Sequence, residues 1–197
     1  LCFSMQVSAN LFHVVDFTGG SERVANEFYF YEDNIEITLS AWTTNVNSSQ
    51  ETVTPWERVT GPDVGLARTD WGFGVISNDQ DGSDLDGGSS SNPMDLDEGI
   101  LISFTETVNF LGFAVDDLTS NDDLNLSIVE FVSATEIITH DVFIDREAWS
   151  DGYDIFDVFP GIHGQHFMVW LDGNDDDVVI ADMAFTHIPE PATIAMF

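Results

Sequence analysis

The chain has 197 residues, enough for one domain with a sizeable core, and its apolar content is that of a folded globular protein. It carries 36 acidic residues against four basic ones, a net charge of −32 at an estimated pI near 4.1. That charge repels phosphates and anionic lipid heads, so it excludes nucleic acid and acidic membrane surfaces and leaves cations, neutral polysaccharide or a basic protein as partners.

Leu1 to Ala9 is mostly apolar or small, and Val7-Ser8-Ala9 has the small-x-small pattern that signal peptidase accepts. Residues 1–9 are therefore expected to be the remnant of a signal peptide, with a mature chain starting at Asn10. The one cysteine, Cys2, falls in that stretch, so no disulfide is expected afterwards.

From there the pattern is period-2 alternation with no sustained helical period. Strands are predicted over Val14–Phe17, Glu27–Tyr31 and Ile35–Ala41. The last sets Ile35, Ile37, Leu39 and Ala41 against Glu36, Thr38 and Ser40. Trp42 continues the polar face of that strand, which makes it a candidate exposed ring for stacking on sugars.

Trp71–Ile76 is the next predicted strand, followed by the one long insertion without a strand pattern, Ser77 to Asp97. A loop of that length is usually functional or disordered. Its acidic run is the candidate metal site. Ca²⁺ takes six to eight oxygens, and alternate positions of a tight loop can aim several carboxylates at one centre. Asp79, Asp81, Asp84 and Asp86 supply them, with Asp97 and Glu98 at the far end. Two readings stand, a calcium-stabilised loop and a hydrated acidic one. Asp84 occupies the place where an EF-hand loop needs Gly.

Ile100–Phe104, Val108–Val115, Leu124–Ile128, Glu136–Phe143, Phe167–Leu171 and Val178–Phe185 complete the predicted strands. Pro160 and the glycines around His163 and His166 point to a turn there, with a structural or surface role for both histidines. Between the last two strands, Asp172 to Asp177 reads as a solvated turn. No nucleophile elbow, phosphate-binding loop or H-E-x-x-H motif occurs. The expected fold is all-β, a single antiparallel β-sandwich over residues 10–187, of jelly-roll type with long acidic loops.

After the last strand come Pro189-Glu190-Pro191-Ala192-Thr193-Ile194-Ala195-Met196-Phe197. This opening resembles a PEP-CTERM sorting signal, so residues 188–197 are expected to be its truncated start. The stretch from Trp71 through the acidic loop to Phe104, and Asp116-Asp117 beyond it, is similar to a segment common in PEP-CTERM sandwich proteins. The resemblance implies processing by an exosortase, a Gram-negative exopolysaccharide producer, and a place at the cell surface or outside the cell. Only six residues follow Pro191, too few to span a bilayer. The functional expectation is a non-catalytic surface or matrix protein, calcium-stabilised and assembling with itself through sheet edges, contacting exopolysaccharide or matrix components. The alternative is a carbohydrate-binding module of the same architecture.

Overall fold

The computed structural model describes residues 12–19, 23–46, 52–62, 64–76, 85–86, 97–118, 124–142, 152–171 and 177–188. The strands are β1 (Phe12–Asp16), β2 (Arg23–Ala25), β3 (Glu27–Glu32), β4 (Ile35–Val46) and β5 (Thr52–Arg58). Then come β6 (Gly65–Arg68), β7 (Phe73–Ile76), β8 (Leu85–Asp86) and β9 (Asp97–Leu118). The last are β10 (Leu124–Ser133), β11 (Glu136–Asp141), β12 (Gly152–Leu171) and β13 (Asp177–His187). There is no helix among the described residues, and every pairing is antiparallel. The all-β expectation holds. The thirteen strands form one continuous sheet.

Its shape follows from two long strands that change partners. Residues 97–104 of β9 pair with β4, whereas residues 108–116 pair with β13. Thr105 to Thr107, which break the alternation in the sequence, mark the exchange, so the two strands expected here are one. β12 follows β9 along both halves. Its register slips between Asp157 and Ile162, where Pro160 and Gly161 lie. The turn expected at Pro160 is therefore a bulge inside a strand, the place where a sheet tolerates a residue without an N–H. His163 and His166 accordingly sit in β12.

The pairings β4–β9, β9–β12, β12–β10, β10–β11, β11–β5 and β5–β4 close a ring of six strands. Trp42, Trp56, Leu101, Val129, Ile137, Met168 and Trp170 form the apolar cluster contributed by these strands. The indole N–H groups of Trp42 and Trp170 donate to Ser40 Oγ at 2.9 Å and Ser127 Oγ at 2.8 Å. This corrects the reading of Trp42 as an exposed sugar platform: it is 1% exposed. Its strand face is polar by sequence but is covered once β5 and β11 close the ring.

The larger core lies on the opposite face, sandwich-like, between the two arms of the folded sheet. Ile35, Ile37 and Leu39 of β4, Ile102 and Phe104 of β9 and Val169 of β12 meet Phe73 of β7, Phe110 of β9 and Met183 and Phe185 of β13. Phe rings fill the gap, with Phe104 against Phe185 at 5.0 Å and Phe110 stacked on Phe167 at 4.7 Å.

Candidate functional site

At one end of the main core, three strands bring imidazole and carboxylate groups together. In β1 the alternation runs against simple hydrophobicity. Phe12 and Val14 face out, while His13 and Val15 face in. β1 lies on β13 in the register His13↔Phe185, so His187, two residues beyond Phe185, falls on the face of β13 that His13 shares. The His13 ring stacks on Phe185 at 5.1 Å and meets His187 edge-on at 5.3 Å.

The carboxylate comes from the other arm. β3 and β4 pair as far as Glu32↔Ile35, leaving a two-residue turn at Asp33-Asn34 with φ of 47° and 69°. Both are left-handed, as a type I′ hairpin turn requires, and Asp and Asn are among the few side chains that adopt this conformation readily. The turn carries Asp33 Oδ2 to 3.6 Å from His187 Nε2 and 4.0 Å from His13 Nε2. One ligand atom from each of His13, Asp33 and His187 lies within 4.8 Å of the others. Glu32 Oε1 is 3.3 Å from His13 Nδ1. Two imidazole nitrogens and a carboxylate are a donor set that suits transition metals.

Sequence reasoning missed these residues. The signal was local in two places, a His between two outward apolar residues and an Asp-Asn turn between alternating strands. The pairing of β1 with β13 that unites them has no local signature.

The residues that the sequence did single out fall elsewhere. Asp79, Asp81 and Asp84 lie outside the described residues, as do residues 1–9 and Pro189, Glu190 and Pro191. Asp86 belongs to β8, a two-residue strand on β13 within the stretch expected to have none. Asp97 and Glu98 open β9 and pair with Thr44 and Thr43 of β4, and both are buried. Neighbours along a strand point to opposite faces, so the two carboxylates do not converge on one ion. Thr43 Oγ1 donates to the Asp97 carbonyl at 3.1 Å, tying this corner into the ladder.

A second feature is the outer face of β3. Tyr29 and Tyr31 are 54% and 70% exposed. The Tyr31 hydroxyl donates to Glu36 at 2.6 Å, and the Tyr29 hydroxyl donates to Glu27, which also pairs with Arg58. Each hydrogen bond raises the phenol's pKa above its ordinary value, so both hydroxyls remain protonated. Burial pushes the Glu27 carboxyl up, but Tyr29 and Arg58 together outweigh it and hold the carboxyl below its ordinary value. Beyond Arg58 lies a pocket of ≈ 270 Å³ lined by Glu57, Arg58, Thr135 and Glu136. Two fixed rings, two carboxylates and a guanidinium thus lead along one edge into a pocket.

Set against known proteins, the chain matches no protein-family model, and neither a characterised protein nor a solved structure matches it significantly.

Proposed function

We propose that this chain is a non-catalytic domain of an exported surface or matrix protein, and that it holds neutral polysaccharide along the outer edge of β3. The observation that carries the reading is the pair of exposed rings, Tyr29 and Tyr31, each fixed by a carboxylate. They lie two apart on one face of a strand, roughly 7 Å from each other along it. An aromatic face packs against the C–H face of a pyranose, while Glu27 and Glu36 accept bonds from its hydroxyls and Arg58 donates to its oxygens. Little rotamer freedom is lost on binding, because the phenols are already tethered. The net charge disfavours acidic sugars and tolerates neutral ones. Export is the part of the proposal that rests on Pro189-Glu190-Pro191 and its resemblance to a sorting signal.

The test is calorimetric titration with soluble neutral glucans and mannans, α- and β-linked. At about 0.5–1.5 kcal/mol for each ring, Tyr29→Ala with Tyr31→Ala should weaken binding by about fivefold or more. Circular dichroism should show the fold unchanged, since both side chains project into solvent. Unaltered affinity in the double variant would remove the site from β3.

A further inference from the structure

We infer that His13, His187 and Asp33 form a site for a divalent transition metal, zinc by its chemistry, which clasps the β3–β4 hairpin to the β1–β13 ladder. His13 is the most buried of the three. Its side chain is 1% exposed, and its Nδ1 lies 3.3 Å from Glu32 Oε1. A proton on Nδ1 donated to that carboxylate leaves Nε2 bare, with its lone pair free for a ligand bond. That nitrogen is buried and has no hydrogen-bond partner. The Nε2 of His187 is in the same condition. A buried nitrogen without a partner is costly, and here two of them face one carboxylate.

A simple ion pair does not account for the spacing. If Asp33 were only accepting hydrogen bonds from imidazolium groups, the contacts would close to about 2.8 Å. They stand at 3.6 and 4.0 Å. Ligands around a tetrahedral zinc, with bonds of about 2.0–2.2 Å, are about 3.3–3.6 Å from one another. The two Asp33 contacts stand close to that spacing, and one ligand atom from each of the three residues lies within 4.8 Å of the others.

The donor set selects the ion. Imidazole suits zinc, copper, nickel and iron, whereas calcium and magnesium take oxygen. Glu32 supports the metal indirectly, by fixing the tautomer and orientation of His13, the relation that buried metal-binding histidines ordinarily have with a carboxylate. Asp33 has a side chain 54% exposed, so water can complete the coordination from its side.

The experiment uses the full chain, stripped of metal, with Zn²⁺ and Co²⁺ as probes. Titration should give one strong site per chain. The melting temperature should rise about 5–10 °C at a hundredfold excess of zinc over its Kd. Co²⁺ should produce the intense visible absorption of a tetrahedral N/O site. Asp33→Asn keeps a residue that tolerates the left-handed turn, and His187→Ala alters a partly exposed position, so both variants should fold. Each should lose the zinc shift and the cobalt band. His140→Ala, at an exposed histidine beside Glu130, should keep both. The inference fails if Asp33→Asn and His187→Ala respond to zinc like the parent, because the effect would then belong to the acidic surface at large.

Discussion

His166 stands just past the bulge in β12, its Nδ1 3.1 Å from Ser103 Oγ and its ring edge-on to Phe131 at 4.9 Å. Burial lowers its pKa from the ordinary 6.5. Above pH 6.5 the side chain is neutral in both the folded and unfolded states and contributes no pH dependence. As pH falls below that value the unfolded chain takes up the proton first, so stability is lost progressively down through the folded pKa. His166→Gln should therefore flatten the fall in melting temperature between pH 7.5 and pH 5, measured against the parent in the same buffers. At this scale alternation is a sound guide for Trp170, which shares a strand face with Met168 and is buried with it. It misled for Trp42, because a run of Glu, Thr and Ser states polarity and not exposure. Ser40 serves as the acceptor for an indole inside the ring. His13 was illegible for a related reason: its burial depends on what lies across from β1, some 170 residues away.

Among the elements, those with strict alternation and one partner set were legible: β3 and the first part of β4. The long strands were not, since β9 and β12 hold their course through residues that would end a strand bonded on one side only. Gly161 shows why. It has φ of 99°, and an added Cβ would lie 2.4 Å from Asn109 Oδ1 on β9. Gly161→Ala should destabilise the fold by about 1–3 kcal/mol, through backbone strain and the displaced Asn109 side chain. A urea unfolding midpoint that does not move would show that the bulge relaxes freely. Short strands such as β2, β6 and β8 have too few residues for any period to show, and are defined by their pairing, β2 with β6, β6 with β7 and β8 with β13.

For the molecule as a whole, charge and connectivity set the behaviour. A net charge of −32 on one domain opposes compaction, and salt screens it over a Debye length that shrinks from about 30 Å at 0.01 M to about 3 Å at 1 M. The melting temperature should climb steadily across that range in sodium chloride. A flat response would show that the acids lie too far apart to repel. Connectivity has a slower consequence. β13 pairs with β1, β7, β8 and β9, all of which precede it in the chain. Each must wait, during synthesis, for a partner that does not yet exist, and contacts of such long range form slowly even in the finished chain. One arm of the sheet therefore stays open until β13 is made. Under the export proposed above, such a delay would keep the chain in the unfolded form that a narrow secretion channel admits.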